Sequence, residues 1–326
     1  MTGRQRFREA MNYGRPDHVP YFEEGIRDEV IAEWRRQGLP EKADLYQMFQ
    51  LDRHELLPVN LEPRPALTAW PTHCRELDVL RSRLDPADPG RLPADFLTTR
   101  VEAWRTRDHV VGLQVHRGFF LSMGVRDWSR FTEAVYQVTD APDLVHAIME
   151  IHADFAIRLT ERILQQVEVD FALFSEPIGG NDGPLLSPKT YKDFMLSSYK
   201  PILEVLRKHG VGTIVYRSYA NPRVLLPGVV AAGFDCLWAV EVNGEAMDFR
   251  AIRRQFGRNL RLIGGIDADA LLLGREAIRR EVAEKVPALL AEGGFIPMAD
   301  GRVRVNVPFE NYVFYRRMLE KFTASS

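Results

Sequence analysis

Cysteine is scarce in this chain: there are two cysteines among 326 residues, and Cys74 and Cys236 do not form a CxxC pair. This scarcity argues against a disulfide-stapled scaffold and against a four-cysteine zinc centre. The eight histidines show neither HxH nor HExxH spacing, so no short-range metal motif is present. We therefore expect free thiols, a reducing cytoplasm and no bound metal.

Long apolar runs and a strong charge of one sign are also missing. No run of 18 apolar residues occurs, which argues against a membrane span. The N-terminal stretch carries charges throughout and does not resemble a signal peptide. The formal net charge is −2, whereas nucleic-acid binders are usually basic. The phosphate-binding motifs GxGxxG and GxxxxGKS/T are absent, so a nucleotide has no motif to support it.

What the chain does contain is a repeating pattern of short apolar runs separated by helix-length segments. Eight runs occur, and seven of the gaps between them can hold at least one helix. This order is typical of a (β/α)8 TIM barrel, the α/β fold that we predict, as one domain over residues 1–326. The eight runs are His18–Phe22, Glu55–Asn60, Val110–Val115, Phe171–Ser175, Thr213–Tyr216, Cys236–Val240, Leu260–Gly264 and Phe295–Ala299.

Residues 61–109 do not fit a simple strand–helix unit. They are rich in proline and charge, and the stretch CRELDVLRSRL (residues 74–84) alternates like an exposed hairpin strand. We interpret residues 61–109 as an insertion between the second and third predicted strands. It is either a lid or subunit contact above the barrel, or a tolerated surface insertion, and the sequence leaves both open.

Catalytic groups of such barrels lie where strands end, so residues at those positions are the candidates. The loop after the fourth run, EPIGGNDGPLLSP, combines Glu176 with glycines, Asn181 and Asp182. Glycines let a backbone approach a ligand closely, and the helix start that follows, with Ser187 as its N-cap, favours an anion. We predict that Glu176 is catalytic and that Asn181 and Asp182 bind substrate. The alternative is a turn whose glycines serve only its geometry.

The fifth run ends with an arginine and two tyrosines. Arg217 is suited to hold a carboxylate or a phosphate, and Tyr216 and Tyr219 can donate hydrogen bonds or stack on a ligand. We predict that Arg217 and Tyr219 are catalytic and that Tyr216 binds substrate. The alternative is a structural ion pair of Arg217 with Glu176 or Glu241.

Several acids lie at the other predicted strand ends. Carboxylates around one opening raise each other's pKa, which prepares an acid for proton delivery, although a single acid there can equally cap a helix. From this set we predict that Asp300 is catalytic. For His116 and Trp238, a packing role is the alternative to substrate binding. The remaining predicted substrate-binding residues are Glu23, Glu24, Asn60, His116, Trp238 and Glu241.

Five stretches of the chain are distinctive as a set: GRPDHVP, DRHELLPVN, NDGPLLSPKTYKDFMLSSYKPILEVLRKHG, LLPGVVAAGFDCLWAVEVNGEAMDFRAIRRQFGRNLRLIGGID, and EGGFIPMAD with VPFENY. Together, and in this order, they resemble the uroporphyrinogen decarboxylase superfamily over nearly the whole chain. The resemblance implies a (β/α)8 barrel with one of two activities. One is cofactor-free decarboxylation of tetrapyrrole acetate side chains. The other is zinc-dependent methyl transfer to or from a corrinoid or thiol.

The chain departs from both branches of that superfamily. For tetrapyrrole decarboxylases the resemblance implies an RQAGR stretch after the first strand, where this chain reads EEGIR and keeps only Arg27. The implied catalytic aspartate near the second strand is replaced around Val59 and Asn60. For methyltransferases it implies a His-x-Cys pair at the fifth strand end, here Arg217 and Tyr219, and a later cysteine where this chain reads ADGRVR. Zinc is therefore not expected.

Three functions follow as hypotheses. The first is a metal-free lyase, most simply a decarboxylase, in which Arg217 holds a carboxylate of a small-molecule or tetrapyrrole-like substrate. One acid among Glu176, Glu24 and Asp300 would then protonate the carbon that loses CO₂. The second is a zinc-independent methyltransferase with a corrinoid protein as partner, which residues 61–109 help to dock. The third is a non-catalytic binding barrel. The resemblance also makes a homodimer plausible.

Overall fold

The computed structural model describes residues 1–242 and 244–324, and it contains one parallel sheet. Seven strands are hydrogen-bonded in sequence order, each to the strand before and after it. Seven of the eight predicted runs become these strands, although the second pairs over three residues only and ends before Pro58. The strands are β1 (His54–Leu56), β2 (Val110–His116), β3 (Phe171–Glu176), β4 (Ile214–Ala220), β5 (Cys236–Val242), β6 (Arg261–Ile266) and β7 (Phe295–Ala299).

Helices alternate with the strands and cover them, as the sequence predicts for an α/β protein. Within the described ranges, every helix is too short or too polar to span a lipid bilayer. The α-helices are α1 (Gly3–Met11), α2 (Asp28–Arg36), α3 (Leu45–Met48), α4 (Leu77–Arg83), α5 (Val101–Arg105), α6 (Phe119–Ser122), α7 (Trp128–Asp140), α8 (Pro142–Leu164), α9 (Pro188–Tyr191), α10 (Ser197–Lys208), α11 (Leu226–Ala232), α12 (Phe249–Phe256), α13 (Ala270–Leu273), α14 (Arg275–Glu292) and α15 (Phe309–Thr323).

The prediction that His18–Phe22 forms a strand is wrong. Pro20 has no amide hydrogen to give to a ladder, which weakens pairing at this point. The Tyr21 N–H donates to the Asp52 carboxylate (2.9 Å), and the Asp52 N–H donates to the Tyr21 carbonyl (3.0 Å). Beyond this segment, Ile26 forms an isolated parallel bridge with Val303, which follows β7. Residues 18–26 therefore contact both ends of the strand order without forming a strand of the sheet.

The strands are apolar on both faces, as expected for a parallel sheet that is covered on each side. Alternate residues such as Leu173, Val215 and Ile263 form an inner cluster, while their neighbours along each strand pack against the helices. Residues of β2 and of β7 share this inner cluster, so the sheet is curled around it. Phe7 and Met11 of α1 are buried in the same cluster, at the amino ends of the strands.

The prediction of an exposed hairpin strand at residues 74–84 is also wrong. Most of this stretch is α4, because Leu77 and Leu80 recur at helical spacing and are buried against the helix layer. Trp104 of α5 is buried as well, and its indole N–H donates to the Glu55 carboxylate of β1 (2.7 Å). The connection between β1 and β2 is therefore helical and packed, and its role as a lid stays a prediction.

The helix after the glycine-rich loop begins where the sequence predicts. The Ser187 hydroxyl accepts a hydrogen bond from the Thr190 N–H (3.1 Å) and caps α9. The predicted single helix is interrupted by a π-helical turn at Lys192–Leu196 before it continues as α10. This arrangement directs Tyr191 and Tyr199 onto the outer face of the sheet.

Candidate active site at the carboxyl ends of the strands

Strand alternation decides which side chains enter the mouth, defined here as the carboxyl ends of β1–β7. Val215 of β4 lies in the inner cluster, so Arg217 and Tyr219, two and four residues later, point to the same side. The parallel register places Ser175 of β3 and Trp238 of β5 beside Arg217. The mouth therefore presents a cation with a hydroxyl on one side and an indole on the other.

Arg217 is held in the mouth by a carboxylate. Its guanidinium forms an ion pair with Glu24, whose side chain is 7% exposed, against 19% for Arg217. The guanidinium carbon lies 5.7 Å from the ring centroid of Tyr219 and 5.2 Å from that of Trp238, within the range in which a ring stabilises a cation. The structure thus brings together four predicted site residues: Glu24, Arg217, Tyr219 and Trp238. The partner of Arg217 is Glu24 rather than an acid at the end of β3 or β5.

Burial sets the electrostatics of this pair. Burial raises the pKa of Glu24, and the charges of Arg217 and Arg302 oppose that rise. Burial, with a smaller contribution from Arg217, lowers the pKa of nearby His54 to about 4, so this imidazole is neutral at pH 7. Among the described residues, neither Oε2 of Glu24 nor Nε of Arg217 has a hydrogen-bond partner. These two buried atoms can serve a ligand that accepts from Arg217 and donates to Glu24.

Two backbone positions with positive φ border the mouth. Ala220 has a φ of 53° and Glu241 a φ of 48°, and the register between β4 and β5 shifts at this point. Such left-handed conformations cost a residue other than glycine roughly 1–2 kcal/mol. They concentrate at functional sites, which supports the mouth as the candidate site. The Glu241 side chain is exposed there.

Glu176 lies on the opposite face of the sheet from Arg217, and its catalytic role stays a prediction. It is 0% exposed. Its carboxyl group accepts hydrogen bonds from the Phe119 N–H (2.9 Å), the Tyr199 hydroxyl (2.7 Å) and the Tyr191 hydroxyl (3.1 Å). Burial raises the pKa of Glu176 to about 7, against the effect of these donors. Because the contacts join β3 to α6, α9 and α10, Glu176 holds the helix layer on the sheet.

His116 and Tyr216 face the helix layer as well. His116 is buried, with its ring centroid 4.7 Å from that of Tyr199, and its Nδ1 accepts from the Gly118 N–H (3.0 Å). Burial lowers the pKa of His116 to about 3, so the ring is neutral at pH 7. Tyr216 is buried with its ring centroid 5.5 Å from that of Phe234. These two predicted substrate-binding residues therefore lie outside the mouth.

Asp300 ties the ends of three neighbouring strands together. Its Oδ2 accepts from the Val242 N–H of β5 (2.9 Å), and its Oδ1 accepts from the Ala268 N–H beyond β6 (2.8 Å). Burial raises the pKa of Asp300 to about 7, while these two bonds oppose the rise. Both carboxylate oxygens are engaged by backbone, so the geometry favours a positioning role over the predicted proton delivery.

Glu23 and Asn60 are engaged by local structure. Oε2 of Glu23 accepts from the Tyr312 hydroxyl of α15 (2.7 Å), which turns this acid away from the ion pair. Oδ1 of Asn60 accepts from the Glu62 N–H (2.9 Å), the pattern of an Asx turn after β1. A contact of either residue with substrate stays a prediction.

The glycine-rich loop after β3 packs against the end of β4. A Cβ added to Gly179 would lie 1.9 Å from the Tyr219 carbonyl oxygen, so a larger residue cannot occupy that position without displacing the backbone. This contact supports the geometric explanation for Gly179. Asn181 and Asp182 lie exposed in the same loop, and their contact with substrate stays a prediction.

Three residues near the Arg217–Glu24 pair were not predicted from sequence. Ser175 is the register partner of Arg217. The His54 ring packs at a tilt against the rings of Phe22 and Trp238, and Arg302 lies close enough to affect Glu24. If the sequence had shown that Arg217 points into the mouth, the alternation of side chains along β3 would have identified Ser175 as its neighbour. No alternation pattern identifies His54 or Arg302, because His54 is the first residue of β1 and Arg302 follows the end of β7.

Zinc does not fit the donor set of the mouth. A guanidinium cannot ligate the metal, and Arg217 occupies one of the two positions where the methyltransferase branch implies zinc ligands. Across residues 1–242 and 244–324, no three His, Cys, Asp or Glu side chains converge in a way that could hold a metal ion. The zinc chemistry of that branch therefore has no ligand set in the described part of the chain.

Comparison with known proteins gives the family. The family model for uroporphyrinogen decarboxylase (URO-D) matches residues 122–321. A uroporphyrinogen decarboxylase of Legionella pneumophila (strain Corby) is 25% identical over 188 residues, which cover 57% of this chain and 49% of that protein. One from Pseudoalteromonas atlantica is 24% identical over 200 residues, which cover 60% and 53%. The chain thus spans about half the length of the curated relatives it matches.

A solved structure agrees at the level of the fold. A methyltransferase from Methanosarcina mazei superposes with a TM-score of 0.65 and 17% identity over 99% of both chains. Identity this low shows a shared fold alone. The family match covers more than half of the chain and includes β4 and β5, which carry Arg217 and Trp238. This chain belongs to the uroporphyrinogen decarboxylase family.

Proposed function

We propose that this protein is a lyase that removes a carboxylate group from a small molecule bound in the mouth. The observation that carries the proposal is the Arg217–Glu24 pair, which lies between two aromatic rings and has an unused polar atom on each partner. Membership of a decarboxylase family supports the reaction class. Uroporphyrinogen and other carboxylated rings are the first substrates to consider.

A substrate carboxylate binds Arg217 by taking the place of Glu24. A guanidinium offers a planar fork of N–H donors that matches a carboxylate. Once displaced, Glu24 is a buried acid with Arg302 as the remaining cation that influences it. An unpaired buried carboxylate favours its neutral form, so Glu24 takes up a proton. Substrate binding thereby creates the acid that the reaction needs.

Arg217 and Glu24 together account for the charge and the proton that the reaction needs. The bond between the carboxylate carbon and the substrate breaks, CO₂ leaves, and the electron pair of that bond stays on the substrate. The proton of Glu24 forms the new C–H bond, and the Glu24 carboxylate returns to Arg217 when the product leaves. The rings of Tyr219 and Trp238 pack beside the guanidinium, and the exclusion of water strengthens its interaction with the substrate charge.

The test is CO₂ release from uroporphyrinogen and from a panel of aromatic carboxylic acids. We expect Arg217→Gln to lower kcat/KM by about 100-fold or more, as removal of an oriented charge-stabilising donor does. Glu24→Gln should lower kcat more than it changes KM, because it removes the proton donor. In D₂O the product should carry deuterium at the carbon that lost CO₂. An unchanged kcat/KM in Arg217→Gln refutes the proposal.

Arg6→Gln is a matched control for these variants. Arg6 is 17% exposed, close to the 19% of Arg217, and it also pairs with carboxylates, those of Asp17 and Asp52. It lies on α1, at the amino ends of the strands, so its loss should leave turnover unchanged. Loss of activity in Arg6→Gln would show that the assay reports folding rather than the mouth.

Two other functions, methyl transfer and ligand binding without catalysis, would give different experimental results. Methyl transfer with a corrinoid partner would give a spectral change on titration with methylcobalamin and no CO₂. Tight ligand binding without turnover would identify a binding protein. The homodimer is part of the proposal, and light scattering on the purified chain tests it.

A further inference from the structure

Apolar side chains that the fold leaves uncovered line a groove of about 570 Å³ beside the mouth. The groove lies where α6 and the start of α7 approach the loop after β3. Trp128 is 82% exposed and Leu185 is 46% exposed. The Trp128 ring packs edge-on to Phe131 with centroids 5.6 Å apart, and Phe131 lies 5.0 Å from Phe120. Single exposed apolar residues are ordinary, but a contiguous set that lines a groove marks a binding surface.

Two arginines meet one carboxylate at the end of this groove. Glu62 pairs through Oε1 with Arg117 and through Oε2 with Arg126. Arg126 lines the groove, Arg117 and Glu62 line a smaller adjoining cavity, and Leu121 lines both. One carboxylate cannot neutralise two guanidiniums, so this cluster keeps a net positive charge. Asp127 also lines the groove and keeps its negative charge, but its carboxylate is directed at the Arg130 N–H as the N-cap of α7.

We propose that this groove binds a small amphiphilic molecule with one anionic group and an aromatic or aliphatic body. The anionic group pairs with Arg126 and Arg117, and the body packs on Trp128 and Phe131. Charge complementarity selects this occupant, because the apolar lining ends at the two guanidiniums. The site shares no residue with the Arg217–Glu24 pair, so it does not rest on the proposed lyase activity.

The test uses a matched pair of fluorescent probes. Anilinonaphthalene sulfonate carries one anionic group on aromatic rings, and N-phenylnaphthylamine has similar rings without the charge. We expect one site for the sulfonate on the natively folded chain, with an affinity about tenfold above that of the neutral probe. Arg126→Gln should remove most of that difference. Trp128→Ala should weaken both probes several-fold, because both stack on the indole.

Matched controls keep the result specific. Tyr136 is an exposed aromatic residue on α7, the helix that carries Trp128. Arg158 is an exposed arginine on α8 that is paired with an acid. Tyr136→Ala and Arg158→Gln should leave both affinities unchanged, and near-ultraviolet circular dichroism confirms that each variant is folded. Equal binding by Trp128→Ala and Tyr136→Ala, or no preference for the sulfonate over the neutral probe, overturns the proposal. Retention of sulfonate binding in Arg217→Gln supports a separate site, whatever the outcome for the lyase.

Discussion

Replacing Arg217 by methionine is expected to destabilise the fold by an amount that grows with pH. Arg217→Met keeps an unbranched side chain between Tyr219 and Trp238 but removes the positive charge that faces Glu24. The Glu24 side chain is 7% exposed, so its carboxylate would be buried without a paired cation. Such a group binds a proton instead, and the free energy of binding that proton sets the cost of the substitution.

The size of this cost follows from the ordinary pKa of a glutamate, 4.5. Keeping a carboxyl group protonated costs about 1.4 kcal/mol for each pH unit above its pKa, which limits the cost at pH 7 to about 3 kcal/mol. Because the pKa in the folded variant lies above the unfolded value, stability is lost as the pH rises. Burial already raises the pKa of Glu24 in the wild type, so the difference stays below that limit. Loss of the guanidinium–ring contacts adds about 1 kcal/mol at every pH.

Urea unfolding between about pH 5 and pH 8, followed by far-ultraviolet circular dichroism, measures this effect. The free energies of unfolding of the wild type and Arg217→Met should diverge as the pH rises. The double variant Glu24→Gln with Arg217→Met has no titrating carboxyl group at position 24, so its difference from the wild type should not widen. A constant difference at every pH would refute the reasoning, because it would show that Arg217 does not neutralise Glu24.

Three further predictions concern buried groups. The pKa of Glu176 lies near 7 in the folded chain against 4.5 ordinarily, so stability should fall by about 3 kcal/mol between those pH values. Urea unfolding of Glu176→Gln should show no such fall. Gly179→Ala places a Cβ against the Tyr219 carbonyl and should cost about 1–3 kcal/mol, seen as a lower Tm. Asp300→Asn turns an amide donor toward a backbone N–H such as that of Val242 and should cost about 1–3 kcal/mol, measured by urea unfolding.

The positions of the strands could be predicted from sequence, but the direction of their side chains could not. In a sheet with helices outside and a packed cluster inside, both faces of each strand are apolar, so the residues give no sign of which face is inward. The register pairs Arg217 with Ser175 and Glu176 with Ser218. Arg217 and Glu176 are therefore out of phase, and only one of them can enter the mouth.

Two wrong predictions of secondary structure, at His18–Phe22 and at residues 74–84, have a shared cause. His18–Phe22 is apolar enough for a strand, and residues 74–84 alternate over a short window. Neither pattern, however, shows which distant residues the segment contacts, and those contacts decide its secondary structure. The first segment meets the Asp52 carboxylate instead of a full ladder. The second buries Leu77 and Leu80 against helices that follow much later in the chain. Short patterns of this kind are overridden by tertiary contacts.

Helix α1 has a consequence for how molecules reach and leave the interior of the sheet. Phe7 and Met11 fill the space among the amino ends of the strands, so that end offers no passage beside the buried inner cluster. We expect a ligand that enters beside Trp238 to leave by the same opening. Spent product and incoming substrate then compete for one entrance, and a compound shaped like the product should slow turnover by simple obstruction.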